Sequence, residues 1–219
     1  MSDNILLALE NITFGYTGRP ALFNGLCFDL RQQEHIGLYG PNGIGKTTLL
    51  RLIMGLETPQ SGRVLFHGVP VNDRRSLHRL RCSIGFVLQN SDDQLFSPTV
   101  LEDVAFGPLN LGLARHAART RAMETLESVG LAGFADRQTH RLSGGEKKMV
   151  SIASVLSMRP EALLLDEPTA FLDDGSRDKI IDILQRQNIS RIIVSHDKEF
   201  LKQTVSSFLC ISNGRMNNG

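Results

Sequence analysis

A glycine-rich loop in the first quarter of the chain restricts the possible folds more than any other feature. Residues 40–47 read Gly-Pro-Asn-Gly-Ile-Gly-Lys-Thr and match the pattern GxxxxGK[ST]. The short apolar stretch His35–Tyr39 before the loop predicts a strand. After the loop, Lys46–Met54 carries leucine and isoleucine at helical spacing, and Gly55 is a typical helix stop. This strand–loop–helix order predicts an α/β fold with the loop at an edge of the sheet.

The residue types in this loop fit the binding of phosphate. Glycines let backbone N–H groups turn toward phosphate oxygens, and the N-terminus of the following helix adds its positive dipole end. Lys46 can reach the β- and γ-phosphates of a nucleotide, and the Thr47 hydroxyl can ligate Mg²⁺. An ordinary glycine-rich turn is the alternative, but the position between strand and helix favours a nucleotide site.

A second signal is an apolar strand that ends in two carboxylates. Leu163–Leu165 is followed by Asp166 and Glu167, and the carboxyl end of a parallel strand is where ligands bind in open α/β sheets. Asp166 can hold Mg²⁺ through water. Glu167 can orient and polarise the water that attacks the γ-phosphate.

The stretch Leu142–Glu146 predicts a second helix N-terminus with unusual composition. Ser143 is a candidate N-cap, and Glu146 completes a capping box. Gly144 and Gly145 cost the helix about 1 kcal/mol each relative to alanine, so something is expected to approach this backbone closely. A second phosphate-facing helix end favours a dimer in which each subunit offers these residues to the other's nucleotide.

Three further side chains are candidates on weaker grounds. His196 follows the apolar run Arg191–Val194 and could contact the γ-phosphate or the attacking water, although a lone histidine at a strand end is usually just a polar residue on the surface. Gln89 ends the predicted strand Ile84–Leu88 and could contact Mg²⁺ or water. Tyr16 could stack on an adenine ring.

The remaining pattern is that of an α/β protein with a helical insertion. Short apolar runs alternate with helices, which favours buried parallel strands covered on both faces. A Thr99–Glu102 capping box opens a short helix, Ala114–Val129 is the longest helical stretch, and residues of about 92–140 form the insertion. Further strands are predicted at residues 5–13, 21–30 and Arg63–Phe66.

Charge and composition limit the class of partner. Lys and Arg total 24 against 23 Asp and Glu, so a formal net charge of +1 gives no reason to bind nucleic acid or anionic lipid. The cysteines at 27, 82 and 210 form no CxxC pair and are expected to be small buried residues in a reducing cytosol. We expect neither a membrane span nor a signal peptide, and the six histidines form no ligand pattern.

The order of these motifs resembles that of the ATP-binding-cassette (ABC) ATPases over nearly the whole chain. Residues 40–47 resemble the Walker A loop, 142–146 the signature, 162–167 Walker B and 172–173 the D-loop. The resemblance makes Tyr16 the adenine-stacking aromatic, Gln89 the Q-loop and His196 the switch histidine. It implies Lys46, Glu167 and His196 as catalytic residues and Thr47, Gln89 and Asp166 as Mg²⁺ ligands. The implied ATP-binding set is Tyr16, Gly40, Pro41, Asn42, Gly43, Ile44, Gly45, Lys46, Thr47, Thr48, Gln89, Ser143, Gly144, Gly145, Glu146, Asp166 and Asp173.

The family resemblance also implies an architecture and a cycle. The fold is a RecA-like P-loop NTPase core with a mostly parallel sheet, an antiparallel N-terminal β subdomain and an inserted helical subdomain. Residues 1–219 then form a single ABC ATPase domain, with residues 1–91 and 141–219 as core and 92–140 as helical subdomain. A sandwich dimer, with itself or a homologous ATPase, closes on two ATP molecules and reopens on hydrolysis.

Residues 89–108 and the run Lys147-Lys148 after the signature resemble ATPases of energy-coupling-factor importers, most of all those for cobalt or nickel. This implies that transmembrane subunits dock near 89–108 and hold the chain at the cytoplasmic face of the membrane. Four apolar residues could form the docking groove or belong to the core, namely Phe96, Val100, Val104 and Phe106. The alternatives are a vitamin importer, an exporter, or a soluble ABC protein acting on nucleic acid or ribosomes, against which the single cassette and the charge argue.

Two positions depart from the family pattern. Glu146 stands where most members have glutamine, and it adds a negative charge close to the partner's nucleotide. Phe171 stands where a small residue is usual, in the stretch Ala170–Asp174 around the D-loop residues 172–173. We also expect weak dimerisation without nucleotide, since the sequence after about residue 215 does not show the C-terminal extension of many coupling-factor ATPases.

Overall fold

The structure is a computed structural model and describes residues 4–218 of the chain. The strands β1 to β10 are, in chain order, Ile5–Phe14, Phe23–Arg31, His35–Tyr39, Ser61–Phe66, Val69–Pro70, Ile84–Val87, Ala162–Asp166, Ser190–Val194, Ser207–Ser212 and Arg215–Asn218. The helices α1 to α7 are Lys46–Ile53, Arg74–Ser83, Val100–Asn110, Arg115–Ser128, Gly144–Leu156, Asp174–Gln185 and Lys198–Thr204.

The larger sheet is six-stranded and mostly parallel, in the order β10-β9-β3-β8-β7-β6. The pairs β9–β3, β3–β8, β8–β7 and β7–β6 are parallel, whereas β10 pairs antiparallel with β9. Strand β7 sends Ala162 and Leu164 into one hydrophobic cluster and Leu163 and Leu165 into another. Because successive side chains point to opposite faces, the sheet is buried on both sides, as its continuous apolar strands predict.

The smaller sheet is four-stranded and antiparallel, in the order β2-β1-β4-β5. The α/β class, the mostly parallel sheet and the antiparallel N-terminal sheet are therefore confirmed. The expectation of three buried cysteines is wrong, because Cys27 is exposed and Cys82 and Cys210 are only partly buried. Cys27 lies between the buried residues Leu26 and Phe28 on β2, so the pleat turns its side chain outward.

Helices α3 and α4 lie between β6 and β7 in the chain, and both pack against α5. The capping box of Thr99 and Glu102 is formed as predicted. Helix α5 also lies so close to β6 that a Cβ on Gly85 would come within 2.0 Å of Val155 Cγ1. No helix in residues 4–218 is long and apolar enough to span a membrane.

Of the four apolar residues that could form a docking groove or belong to the core, two belong to the core and two are exposed. Val100 and Val104 are fully buried in the core between α3 and α5, so they offer no surface. Phe96 and Phe106 are 67% and 44% exposed and pack edge to face with ring centroids 4.8 Å apart. The two valines are buried, unlike the two phenylalanines, because they occupy the face of α3 that packs on the rest of the protein.

Candidate nucleotide site

The site lies at the carboxyl edge of the larger sheet. Parallel strands all end at the same edge, so the segments that follow β3, β6, β7 and β8 meet there. They surround an open cavity of about 860 Å³. The sequence-predicted residues that line it are Tyr16, Asn42, Gly43, Gly45, Lys46, Thr47, Thr48, Gln89, Asp166, Glu167 and His196.

The glycine-rich loop leaves the start of α1 open to an anion. Gly45, the N-cap of α1, has φ of 108°, a conformation that side-chain-bearing residues avoid, and no side chain caps this helix. The helices α2, α3, α5, α6 and α7 are each capped by a side chain. The N–H groups at the start of α1 thus have no side-chain acceptor and can bind phosphate oxygens.

Lys46 lies above the loop with a buried side chain. Its Nζ donates to the carbonyl oxygens of Gly40 at 2.8 Å and Pro41 at 3.0 Å. Gly40, Pro41 and Ile44 themselves are not part of the cavity wall. Burial lowers the pKa of Lys46, while the charges of Glu167 and Asp166 oppose that shift. The ammonium group is thus placed next to the loop that would hold the phosphates.

Asp166 ends β7 as a buried carboxylate within reach of Thr47. The Thr47 hydroxyl donates to Asp166 Oδ1 at 3.1 Å. Burial raises the pKa of Asp166, while this hydrogen bond and the charges of Lys148 and Lys46 lower it. The hydroxyl of Thr47, the carboxylate of Asp166 and the amide of Gln89 are the hard oxygen donors that Mg²⁺ prefers. Within residues 4–218 no group of three or more His, Cys, Asp and Glu residues could hold a metal ion.

Glu167 and His196 form the part of the site that can act on water. His196 Nε2 lies 3.4 Å from Glu167 Oε1, and the His196 backbone N–H donates to Oε2 at 3.3 Å. Oε1 is buried and accepts no hydrogen bond, and Glu167 has φ of 46°. Burial raises the pKa of Glu167. A strained, desolvated carboxylate with one free oxygen is suited to accept a proton.

Tyr16 lies at the cavity wall, 39% exposed. Its hydroxyl is 3.2 Å from Thr48 Oγ1, and its ring packs edge to face against Phe14 at a centroid distance of 5.0 Å. These contacts fix the ring at the mouth of the cavity, where a base could stack on it.

Four of the sequence-predicted residues, Ser143–Glu146, lie outside this cavity. The capping box is formed as predicted: Ser143 Oγ accepts from the Glu146 N–H, and the Glu146 carboxylate accepts from the Ser143 N–H at 2.8 Å. Arg137 Nη1 lies 3.1 Å from Glu146 Oε1, a pairing that sequence reasoning missed. The hydrogen bond from the Ser143 backbone lowers the pKa of Glu146; burial opposes this shift, while the Ser143 side chain and Arg137 add to it, so that the pKa lies below its usual range. The extra negative charge at Glu146 is therefore compensated within the chain.

The two glycines of this segment have different surroundings. A Cβ on Gly145 would lie 2.2 Å from Ser176 Oγ, so its close neighbour is α6 of the same chain. A Cβ on Gly144 would meet nothing within 4 Å. Close packing on α6 is thus one reason for a glycine at 145, and the expectation that both glycines serve a partner's nucleotide stays a prediction.

The segment after Glu167 carries a capping residue and an unusual aromatic. Asp173 lies outside the cavity wall and caps α6, accepting from the N–H and hydroxyl of Ser176 at 2.9 and 2.8 Å. Phe171 lines the cavity, is fully exposed and has φ of 63°. An exposed aromatic in a strained conformation beside the site suggests a surface that another molecule covers.

The structure adds an ion pair that fixes the backbone next to His196. Arg177 of α6 donates to Asp197 through Nε at 2.7 Å and Nη2 at 3.4 Å. Asp197 also caps α7 by accepting from the Phe200 N–H. Burial raises the pKa of Asp197, but the bonds from Arg177 and Phe200 outweigh it and lower the pKa overall. No local sequence signal pointed to this pair, because its residues lie on different elements.

A family model described as ABC transporter matches residues 23–170. The chain belongs to the ABC transporter family. An ABC transporter ATP-binding protein of Nitratidesulfovibrio vulgaris is 55% identical over 214 residues, 97% of this chain and 78% of the relative. The energy-coupling factor transporter ATP-binding protein EcfA of Methanothermobacter thermautotrophicus is 43% identical, over 96% of this chain and 69% of the relative. The cobalt import ATP-binding protein CbiO of Rhodobacter capsulatus is 41% identical, over 96% and 77%.

Solved structures agree with this ABC assignment. CbiO1 of Clostridium perfringens, described as part of the ABC transporter complex CbiONQ, superimposes with a TM-score of 0.87 at 35% identity, covering 98% of this chain and 87% of that chain. A dimeric ATP-binding cassette bound to ADP and Pi gives a TM-score of 0.85 at 26% identity, covering 97% and 98%. This ABC protein is thus an ATPase of the energy-coupling type.

Proposed function

We propose that this ATPase powers an importer of cobalt or nickel ions. The observation that carries its chemistry is the meeting of Lys46, Asp166, Glu167 and His196 around one cavity beside an uncapped helix N-terminus. The cargo rests on the similarity to a cobalt import ATP-binding protein and to a subunit of the CbiONQ complex. The cargo itself is recognised by a membrane partner, since this chain offers no cluster of metal ligands within residues 4–218.

Each part of the site has a role in the proposed hydrolysis. The N–H groups at the start of α1 and the Lys46 ammonium bind the β- and γ-phosphates, and Tyr16 stacks on the adenine. Glu167 accepts a proton from the attacking water through Oε1, which is free of hydrogen bonds. His196, next to Glu167, contacts the γ-phosphate or the same water. In this arrangement Glu167 is the proton acceptor, and Lys46 and His196 are the cationic or polar contacts around the reacting phosphorus.

Mg²⁺ fits the oxygen donors at this site. Thr47, Gln89 and Asp166 would hold the ion, and Mg²⁺ there supplies charge neutralisation for the β- and γ-phosphates. The existing hydrogen bond of Thr47 to Asp166 keeps both side chains at one point of the cavity. The donor set is mostly neutral, which suits an ion that arrives together with the nucleotide.

The working unit in this proposal is a dimer. Ser143, Gly144 and Glu146 lie outside the chain's own cavity, and Gly144 faces open space. A second copy or a homologous ATPase brings these residues to the nucleotide, so the dimer closes on two ATP molecules and reopens on hydrolysis. Gly145 and Asp173 support this arrangement from within the chain, since Asp173 caps the helix that packs on Gly145.

The membrane partner docks on the exposed aromatic pair in residues 89–108. Phe96 and Phe106 present an apolar surface beside Gln89's loop, and residues 92–140 form the helical subdomain that carries it. The chain is then held at the cytoplasmic face of the membrane by its partner. Contact between this surface and a transmembrane subunit connects hydrolysis to transport.

A trapping experiment tests this proposal. The Glu167→Gln variant, loaded with ATP, is used to recover partners from native membranes, which are identified by mass spectrometry. A small multi-spanning scaffold together with a metal-uptake subunit supports the importer of cobalt or nickel. A vitamin-uptake subunit or an exporter subunit refutes that cargo, and recovery of ribosomes or DNA-repair factors refutes transport altogether.

A further inference from the structure

Lys148 is a buried cation that the proposed chemistry does not use. It lies in the first half of α5, shortly after Ser143, and its residue exposure is 3%. Long charged side chains almost never become this buried unless they are paired or hydrogen-bonded. A lysine in this position therefore needs a structural or functional reason.

The partners of Lys148 are two backbone carbonyls at the end of β6. Its Nζ donates to the carbonyl oxygens of Leu88 at 2.8 Å and Gln89 at 2.7 Å. Strand β6 ends at Val87, so these carbonyls lie beyond the strand. The Lys148 ammonium thus supplies the hydrogen-bond donors that a neighbouring strand would otherwise give these carbonyls, at the point where the chain turns toward the cavity.

The surroundings of Lys148 act on its charge in opposite directions. Burial lowers its pKa to about 8, and the charge of Asp166 opposes that shift. Hydrogen bonds from an ammonium group are stronger than neutral ones, so the two carbonyls are held firmly.

A second side chain ties the same segment to α5. Gln94 Oε1 accepts from the Leu88 N–H at 3.0 Å, and Gln94 Nε2 donates to the Ser151 carbonyl at 2.9 Å. Both backbone groups of Leu88 therefore bind to α5, one directly and one through Gln94. The residue immediately before Gln89 cannot shift along β6 without breaking these bonds.

We propose that Lys148 is a positioning residue that fixes Gln89 in the nucleotide site and joins it to the helix that presents Ser143. This proposal rests on the role of Gln89 in the proposed function. Ser143 and Lys148 are separated by about 7.5 Å along one helix, so they move together. In the proposed dimer Gln89 serves the chain's own ATP and Ser143 serves the partner's. Lys148 thus links the two nucleotide sites through a single rigid element.

The test is a double-mutant cycle of Lys148→Met and Gln89→Ala in the full chain, with ATP turnover measured against Mg²⁺ concentration. Met keeps the length of lysine without its charge, and alanine at 89 keeps the backbone carbonyl. We expect each single variant to lower kcat about tenfold and to raise the Mg²⁺ concentration giving half-maximal turnover. If Lys148 acts through Gln89, the double variant loses no more than Gln89→Ala alone.

Three results would overturn this proposal. Normal turnover in folded Lys148→Met, while Gln89→Ala is impaired, refutes the positioning role of Lys148 but leaves the role of Gln89 in place. Normal turnover in Gln89→Ala refutes the proposed role of Gln89 and, with it, that of Lys148. If kcat of the double variant falls about 100-fold, the two single effects multiply, and Lys148 then acts on the structure independently of Gln89. Lys202→Met, at a side chain that is 62% exposed and paired with Glu199, is the matched control. If urea unfolding shows that Lys148→Met is not folded, Gln94→Leu replaces it in the same cycle.

Discussion

Glu167 and His196 lie together at the ends of two neighbouring strands, with Glu167 Oε1 3.4 Å from His196 Nε2. The carboxylate is oriented by the His196 backbone N–H on Oε2, while Oε1 accepts no hydrogen bond. One oxygen is therefore fixed and the other is free. Oε1 is thus the oxygen that still has the capacity to accept a proton.

Replacing Glu167 with glutamine should nearly abolish hydrolysis. The amide keeps the shape of the side chain but cannot accept the proton, and general base catalysis contributes about 10²- to 10⁴-fold. We expect turnover to fall at least 100-fold while ATP binding persists and an ATP-bound dimer accumulates on size-exclusion chromatography. Glu199→Gln, at an exposed side chain on α7, is the control. Turnover close to wild type in Glu167→Gln would refute the proposed base.

The pH dependence of turnover should report the raised pKa of Glu167. Because burial raises this pKa, the carboxylate forms only above the ordinary value of about 4.3, and activity should rise with pH through the raised value. In the same pH interval the folded chain binds more protons than the unfolded chain, so the free energy of unfolding should fall as pH rises. Urea unfolding at several pH values across this interval should show that the free energy of unfolding depends less on pH in Glu167→Gln than in the wild type. An unchanged pH dependence would contradict the raised pKa of Glu167.

Removing the amino group of Lys46 should weaken ATP binding. Charge-assisted hydrogen bonds contribute about 1.5–3 kcal/mol, so Lys46→Ala should raise the Kd for ATP about 10- to 100-fold. The fold should persist, because the lost partners are the carbonyls of Gly40 and Pro41 and the ring of His196, all at the sheet edge where the cavity lies. Isothermal titration calorimetry measures the Kd, and an unchanged affinity would remove Lys46 from the binding site.

The two signature glycines should respond differently to alanine. Gly144 has open space for a Cβ, so Gly144→Ala should leave the free energy of unfolding unchanged but lower turnover on the order of 10-fold by intruding on the partner's nucleotide. Gly145→Ala would place a Cβ 2.2 Å from Ser176 Oγ and should destabilise the chain by about 1–3 kcal/mol. Urea unfolding and ATPase assays separate the two effects. Full activity in Gly144→Ala would argue against its role across the dimer.

Phe96 should contribute to membrane docking without affecting the fold. Its side chain is mostly exposed, so Phe96→Ser should reduce co-purification with the transmembrane partner at least tenfold and leave basal turnover unchanged. Val104→Ala, at a buried neighbour on α3, should instead lower the free energy of unfolding by about 1–3 kcal/mol. Unaltered partner recovery with Phe96→Ser would place the docking surface elsewhere.

Local sequence patterns predict much of the fold. Strand β3 and the start of α1 were predicted at the residues where they occur, since their apolar spacing and the glycines between them are local properties. Helix α2 was missed, because Arg74–Ser83 is strongly polar and buries only Leu80. Strands β9 and β10 were also missed, since they gain their identity by pairing next to β3.

Sequence motifs alone identify the candidate residues for binding phosphate and activating water, because these residues lie in short contiguous segments with characteristic spacing. The side chains that support these candidate residues become visible only in the folded structure. Arg137 pairs with Glu146, Arg177 with Asp197, and Lys148 with the carbonyl 60 residues before it at Leu88. Such partners come from separate elements that packing brings together, and burial of apolar surface is a property of the whole fold. No local spacing encodes them.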